Sequence, residues 1–416
     1  MSYIQPETQS NQLPTSTSQI LLMGLAAAQQ QDWLSVCDYL KLLPQTKSRK
    51  KPKLFILAAK DWQMAREIAL YVLIEADFQH KWAISKLIPL FGNDIIPSLT
   101  TLVKDRTLEA DVRWFVCKIL GKFKKEEVII ALVELLQETT DKELIEIAGK
   151  TLSEIGDDAV EALSNLIAQP EYSLLAVQSL SYIRTVKTID PLLEVTNNPE
   201  PELKAIAIKA LGSFHDPRIA PVLLKALQDK ASKVRIEAAI ALGFRSDLVD
   251  ELDLIAHLSP LLSDFNLEVC RQAATSLGRM KQDNANKALF EALRAETTPI
   301  SLKLDLIKAL GWSELKSAID YLALALVESC GAVTQEITIV LGRISVPQFK
   351  PLAAQTLLNF WQTKHQELTP QLKQSLATSL GELRCCDAKV TLEQLAQSSD
   401  RKVQLHAKSA LRKISS

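Results

Sequence analysis

The sequence SKVRIEAAIALG, residues 232–243, recurs in degenerate form along most of the chain and decides the fold. Related strings end in the same register at Gly121, Gly212, Gly243, Gly278, Gly311, Gly342 and Gly381. Ser153 and Ser181 occupy this register in two further copies, Pro89 in an earlier, weaker copy and Arg412 in the last. A spacing of about 32 residues is typical of solenoids built from two-helix repeats.

Each repeat reads as two helices joined by a short polar turn. The apolar-periodic segment IAPVLLKAL (219–227) precedes the turn, and SKVRIEAAIALG follows it. Val234, Ala238 and Leu242 recur at i, i+4 and i+8, so they should form the stripe that packs on the first helix. No stretch shows the sustained period-two alternation of a half-buried strand, so we expect no sheet.

Glycine is scarce in this chain, and seven of its 12 glycines lie in the repeat register. The chain must leave one helix and start the next at this point, and glycine costs least if the position needs a positive φ. The alanines beside it should let helices approach closely. Arg235 and its counterparts should link neighbouring repeats through contacts to the turns.

One repeat cannot bury its own apolar face, whereas stacked repeats share a continuous core. We therefore predict an all-α fold, with an α-solenoid of around ten two-helix repeats over residues 86–416, wound as a right-handed superhelix. Residues 20–85 should form a helical cap module, with a helix pair broken near Gln31 and Asp32. Residues 1–19 are rich in Gln, Ser, Thr, Pro and Asn and are predicted to be a disordered tail.

The repeats resemble HEAT repeats and, more narrowly, the HEAT-like repeats of the phycobilin lyase group of cyanobacterial phycobilisomes. The resemblance lies in GSFHDPRIAPVLLKALQDKASKVRIEAAIALG (212–243) and in the repeats around Gly121 and Gly278. It implies a solenoid that serves the assembly, turnover or maintenance of a photosynthetic complex. Most proteins with such repeats bind other proteins and carry out no chemistry, so it implies no catalytic residue.

A partner-binding groove is predicted from two registers of the second helices. In related solenoids these helices line the concave face, and the two registers lie opposite the packed stripe. The predicted groove residues are Trp114, Lys118, Glu146, Lys150, Gln178, Lys209, Ile236, Ile240, Arg271 and Lys308. Two interpretations stay open, a solvated helix face that tolerates lysine and a groove for an acidic, amphipathic partner segment or an anionic ligand.

The N-terminal module is rich in tryptophan. Trp33, Trp62 and Trp82 either pack a cap on the end of the solenoid or form a docking surface, since Trp is a common interface anchor. The loop PQTKSRKKPK (44–53) carries five basic residues. It is either an ordinary linker or a tether to an acidic surface.

Several classes of function are disfavoured by the sequence. A net charge of −1 argues against a surface built for nucleic acid. The five histidines form no HxxxH or HExxH, and no P-loop or GxGxxG is present, so we predict no catalytic residue, cofactor or metal site. Cys385 and Cys386 are neighbours too close for an ordinary bridge, and a redox or metal-binding role with a partner stays open. Without a signal or a transmembrane segment, the chain should be soluble and cytoplasmic.

Two functions are compatible with these features. The first is a non-enzymatic scaffold that binds a protein partner in the concave groove. The second is a phycobilin lyase or its partner, which would hold a bilin and hand it to a cysteine of an antenna phycobiliprotein. In that case Lys118, Lys150 and Lys209 would pair with the propionates, and Trp114 would stack on a ring.

Overall fold

The computed structural model describes residues 17–43 and 59–415. Of the predicted disordered tail, residues 1–16 lie outside this range, as does the basic loop 44–53. Within it the chain forms 24 α-helices and no strand. The chain divides into an N-terminal unit, Met1–Pro191, and a C-terminal unit, Leu192–Ser416.

Ten helices belong to the N-terminal unit, together with short 3-10 segments. The α-helices are α1 (Thr17–Gln29), α2 (Trp33–Lys41), α3 (Ala59–Glu75), α4 (Phe78–Ser85), α5 (Ile96–Lys104), α6 (Ala110–Leu120), α7 (Glu126–Glu138), α8 (Lys142–Ile155), α9 (Val160–Ile167) and α10 (Pro170–Tyr182). The 3-10 segments are Ile88–Phe91, Asn93–Ile95, Asp157–Ala159 and Val186–Thr188.

The division between the units falls within α11 (Ile189–Val195). The later helices are α12 (Pro201–Leu211), α13 (Ile219–Ala226), α14 (Ser232–Gly243), α15 (Leu254–Leu258), α16 (Leu267–Met280), α17 (Asp283–Arg294), α18 (Ile300–Trp312), α19 (Lys316–Glu328), α20 (Gly331–Gly342), α21 (Lys350–Lys364), α22 (Pro370–Leu383), α23 (Lys389–Ala396) and α24 (Arg401–Ser415). The 3-10 segments are Ser246–Leu248, Ser259–Ser263, Pro347–Phe349 and Cys386–Ala388.

Both units are built from helix pairs whose second helices pack side by side. In the N-terminal unit α2, α4, α6, α8 and α10 follow one another in this layer, and in the C-terminal unit the layer runs from α12 to α24. The ten predicted repeats correspond to the pairs from α5 and α6 to α23 and α24, so the predicted all-α solenoid is confirmed. The module before them forms two further pairs, α1 with α2 and α3 with α4.

The turns contain the residues that start the second helices. Asp32 accepts a hydrogen bond from the Ser35 backbone N–H at the start of α2, directly after Gln31 with its positive φ of 57°. Asp141 accepts hydrogen bonds from the backbone N–H groups of Glu143 and Leu144 at the start of α8. These N-caps satisfy donors that the helix leaves free, which explains the polar turns of the repeat.

The core stripe of the second helix is as predicted. Val234, Ala238 and Leu242 are fully or almost fully buried on α14. Arg235 links two repeats, because its guanidinium donates to both Asp264 carboxylate oxygens, at 2.7 and 2.8 Å. Its counterpart Arg113 behaves differently and donates from Nε to the carbonyl oxygen of Val103, 2.9 Å away in its own repeat.

The reason proposed for the register glycines is wrong. Gly121 and Gly212 have φ of −59° and −57°, which is ordinary right-handed helix. A Cβ on Gly212 would lie 2.6 Å from the Ala241 Cβ, and one on Gly278 would lie 2.6 Å from the Ala309 carbonyl oxygen. Glycine is required here because successive second helices touch at this point, not because the backbone needs a positive φ.

Candidate partner-binding site

All ten predicted groove residues lie on second helices, and none of them is buried. Trp114 and Lys118 lie on α6, Glu146 and Lys150 on α8, and Gln178 on α10 of the N-terminal unit. The remaining five belong to the C-terminal unit, namely Lys209 on α12, Ile236 and Ile240 on α14, Arg271 on α16 and Lys308 on α18. The layer predicted to form the groove is therefore accessible to a partner.

In the N-terminal unit, one of the predicted docking tryptophans lies next to two of the predicted groove residues. Trp82, predicted as a docking residue, lies on α4, which packs against α6. The Lys118 ammonium lies 3.9 Å from the Trp82 ring centroid and 5.1 Å from that of Trp114. Lys86 approaches the same Trp82 ring at 5.3 Å. A cation held over aromatic faces in this way is typical of cation–π contacts.

Beside this contact opens a cavity of about 820 Å³, which we call the basic cleft. Its walls combine apolar and cationic side chains, and no acidic residue is among them. The residues used below are Trp82, Lys86, Lys118, Ile119, Lys122, Phe123 and Lys124. The size is that of a pocket for a small ligand or a few peptide residues.

The cleft has more positive charge than its surroundings neutralise. Lys122 has a carboxylate partner, Glu154, at 3.9 Å. Lys86, Lys118 and Lys124 form no ion pair with any carboxylate in the part of the chain that the structure describes. An anion that enters the cleft would therefore meet three cations that lack a carboxylate partner.

The surroundings of Lys118 disfavour its positive charge. Burial lowers the pKa of its ammonium group, and the like charges of Lys150, Lys122 and Lys86 lower it further. Only Glu154 acts in the opposite direction. A carboxylate or phosphate next to Lys118 would reverse this effect, since an opposite charge favours the protonated form.

An aromatic cluster continues the apolar wall of the cleft onto the surface. The rings of Phe78 and Trp82 are nearly parallel, with an interplanar angle of 16° and centroids 6.5 Å apart. Phe115, fully buried, lies 5.2 Å from both Phe78 and Trp114. Phe78 is 61% exposed and Trp82 is 37% exposed, so the cluster offers apolar contact area to a partner.

The other predicted docking tryptophans lie elsewhere. Trp33 meets Tyr71 edge-on, with ring centroids 5.8 Å apart, and so joins α2 to α3. Trp62 lies 6.0 Å from Phe91. These contacts agree with packing between neighbouring helix pairs, and neither residue lines the basic cleft.

The predicted groove has a different character in the C-terminal unit. Arg271 pairs with Asp305 at 3.0 Å and with Glu268 at 3.4 Å. Lys308 pairs with the same Asp305 at 3.4 Å. These cations are already neutralised, so they have less to offer to an anionic partner than Lys118.

Five of the seven named cleft residues were missed by the sequence reasoning. One of them, Ile119, directly follows Lys118 on α6. Lys86 follows α4, while Lys122, Phe123 and Lys124 follow Gly121 in the turn before α7. None of them lies in the two registers from which the groove was predicted. The dense basic string KFKK (122–125) was the signal that could have found three of them.

The cysteines differ in their exposure to solvent. Burial raises the pKa of the Cys117 thiol to about 12, so it is not a nucleophile. Cys386 is exposed and Cys385 is half-buried, next to the 3-10 segment Cys386–Ala388.

In the described residues no three His, Cys, Asp or Glu side chains meet in a way that could hold a metal ion. None of the described helices is long and apolar enough to cross a bilayer.

Comparison with known proteins identifies the repeat. The family model for HEAT repeats matches residues 67–153, 96–181 and 189–260. A search of curated proteins finds no match. The narrower resemblance to phycobilin lyases receives no support from the comparisons.

Solved structures show the same fold at low sequence identity. A structure of Kap95p with RanGDP is 12% identical, with a TM-score of 0.52 over 96% of this chain and 62% of that one. A crystal structure of importin beta is also 12% identical, with a TM-score of 0.50 over 96% of this chain and 60% of that one. The chain thus spans about three fifths of these importin-type proteins.

A match to human deoxyhypusine hydroxylase in complex with glycerol has 22% identity over 62% of this chain and 96% of that one. Its TM-score is only 0.27, so it says nothing about chemistry here. The chain is an all-α solenoid that contains HEAT repeats.

Proposed function

We propose that this protein is a non-enzymatic interaction scaffold whose basic cleft binds an acidic, amphipathic segment of a partner protein. The observation that supports the proposal most strongly is the set of lysines without carboxylate partners, Lys86, Lys118 and Lys124, beside the exposed ring of Trp82. HEAT repeats are typical of proteins that bind other proteins, which agrees with this assignment.

The physical gain on binding would come from two sources. A partner carboxylate near Lys118 replaces repulsion among lysines with attraction. An apolar partner side chain would cover Trp82, Ile119 and Phe123. Buried aromatic anchors and desolvated charges supply most of the energy of ordinary protein interfaces.

A selection from random 12-residue peptides on the full chain tests the proposal. We expect a class of enriched peptides that combine Asp or Glu with a bulky apolar residue, and we expect Lys118→Glu to weaken the binding of this class strongly. Lys142→Glu is the matched control, because Lys142 is exposed on α8 and lies outside the cleft. A selection that yields no acidic peptide whose binding depends on Lys118 would refute the proposal.

The biological setting rests on the sequence resemblance alone. We propose that the partner belongs to a photosynthetic or phycobilisome-related complex and that the scaffold acts in the cytoplasm, where no nucleic acid is expected as a ligand. Affinity purification from the native host, with mass spectrometry of the co-purified proteins, tests this setting. A stoichiometric partner from another cellular system would exclude it.

The lyase alternative is favoured by one observation, namely aromatic faces next to cations that lack a carboxylate partner. Trp82 and Trp114 would stack on pyrrole rings, and Lys118 with Lys86 or Lys124 would pair with the two propionates. Lys209, expected in such a site, lies in the other unit. No visible absorbance band and no induced circular dichroism with added bilin would remove this alternative.

A further inference from the structure

Four successive second helices of the C-terminal unit end in alternating aromatic and arginine residues. Each directly follows a register glycine, and together they form what we call the aromatic–arginine row: Phe244, Arg279, Trp312 and Arg343. Phe244 is 64% exposed and Trp312 is 51% exposed, although large aromatic side chains are usually buried. Both arginines are exposed as well. The groove prediction did not include this register.

The four residues lie on neighbouring helices that touch. The second helices α14, α16, α18 and α20 pack in sequence, and their register glycines leave no room for a Cβ. Packed helices lie about 8–10 Å apart, so the row has about this spacing. The Arg279 guanidinium carbon lies 4.5 Å from the Phe244 ring centroid, which shows the first contact of the row directly.

The row has positive charge that the protein itself does not neutralise. Other ions at the same helix ends are paired, Lys281 with Glu314 at 2.5 Å and Arg245 with Asp247 at 2.8 Å. Arg279 and Arg343 form no ion pair with a carboxylate among the described residues. Arginine and exposed aromatic residues are the side chains most enriched in the binding centres of protein interfaces.

We propose that the aromatic–arginine row binds an extended acidic segment of a protein partner. One acidic side chain would pair with Arg279 and a second with Arg343, while an apolar side chain between them would lie on Trp312. The two arginines are two helix steps apart, about 16–20 Å. An extended chain rises about 3.3 Å per residue, so the two acidic residues should be about five or six positions apart.

A peptide fits the row better than a nucleic acid does. A nucleic acid carries a phosphate at every nucleotide and requires a continuous cationic track. The row offers only two arginines without carboxylate partners, and the carboxylates of Glu314 and Asp247 lie at the same helix ends. The site is separate from the basic cleft, so the proposal does not depend on the function proposed for that cleft.

Peptide selection with three variants of the full chain tests the row. Random 12-residue peptides are selected on the unmodified protein and then rebound to Arg279→Glu/Arg343→Glu, to Lys118→Glu and to Arg401→Glu. Arg401 is an exposed arginine on α24 outside the row and serves as the matched control. Circular dichroism of each variant establishes that the fold is intact.

We expect a class of peptides with two acidic residues five or six positions apart around an apolar residue. Their Kd should rise at least tenfold on the double arginine variant and stay unchanged on the Lys118 and Arg401 variants. Peptides lost only with Lys118→Glu report on the basic cleft instead. If no peptide depends on Arg279 and Arg343, or if these arginines govern binding of a poly(dT) oligonucleotide rather than of acidic peptides, the proposal is wrong.

Discussion

Lys118 and Lys308 occupy the same register of the repeat in the two units, yet their surroundings differ. The Lys118 ammonium lies over tryptophan rings without a carboxylate partner among the described residues, whereas Lys308 pairs with Asp305. The difference comes from a second register, where α6 has Phe115 and α18 has Asp305. The aromatic residue supports the ring cluster around Trp82, and the acidic residue neutralises its neighbours. A repeat position therefore becomes a binding position only through its neighbours.

Charge reversal at the two equivalent lysines should give the largest contrast. We expect Lys118→Glu to weaken binding of a selected acidic peptide by about 30- to 100-fold, corresponding to about 2–3 kcal/mol for a desolvated interface charge. Lys308→Glu should change it less than about threefold. Isothermal titration calorimetry measures both values, and an equal loss for the two variants would remove the distinction between the units.

The second largest effect is expected on stability, when two of the register glycines are replaced by alanine. A Cβ on Gly278 meets backbone atoms of Ala309, whereas one on Gly121 meets a side-chain methyl group, that of Thr151, at 2.8 Å. Gly278→Ala should therefore lower the free energy of unfolding by about 2 kcal/mol, through overpacking. Gly121→Ala should cost clearly less, because a side-chain methyl group yields more easily than a backbone and alanine has the higher helix propensity. Urea denaturation separates the two cases, and equal effects would contradict the close-contact explanation.

Removing the neutralising carboxylate should make the C-terminal register resemble the N-terminal one. Asp305→Asn would leave Lys308 without its carboxylate and Arg271 with Glu268 alone. We expect a loss of about 0.5–1 kcal/mol in stability, as for half-exposed ion pairs, and weak, salt-sensitive binding of acidic peptides at α16 and α18. Titrations of the variant with an acidic peptide at low and high salt measure this new binding. Binding that stays absent would show that lysines without aromatic neighbours are insufficient.

The smallest expected effect is a pH dependence at Lys118. Its pKa in the folded chain is lowered, chiefly by burial, so its charged form opposes folding at neutral pH. Lys118→Met should raise the free energy of unfolding by up to about 0.5 kcal/mol at pH 7. The gain should shrink as the pH rises through the folded pKa and vanish near the unfolded value of about 10.4. Denaturation curves at several pH values test the sign, and a gain that grows with pH would contradict it.

The sequence predicted the fold well because its signals are local to one helix pair. The stripe of Val234, Ala238 and Leu242 and the glycine register place both helices of a repeat and their order in the chain. The reason for the glycines was missed because it lies in a neighbouring repeat, where Ala309 faces Gly278. Periodicity reports which face a residue occupies, but not what stands opposite it.

The candidate site was predicted only in part for the same reason. Lys118 and Trp114 were found in one register and Trp82 as a docking residue, but their meeting depends on how α4 packs on α6. The pairing of Lys308 with Asp305, three residues earlier on the same helix, could have been predicted from the string DLIK. The second partner of Asp305, Arg271, lies on α16 in another repeat and depends on tertiary packing. Lys122 and Lys124 lie in a turn whose direction only the tertiary structure defines.

Hydrogen exchange of the full chain, with and without an acidic peptide whose binding depends on Lys118, tests the central claim most directly. If the cleft lysines form the partner site, protection should increase over residues 78–91 and 110–124 and stay unchanged in α18. Protection confined to α16 and α18, or none in α4 and α6 at saturating peptide, would contradict the account.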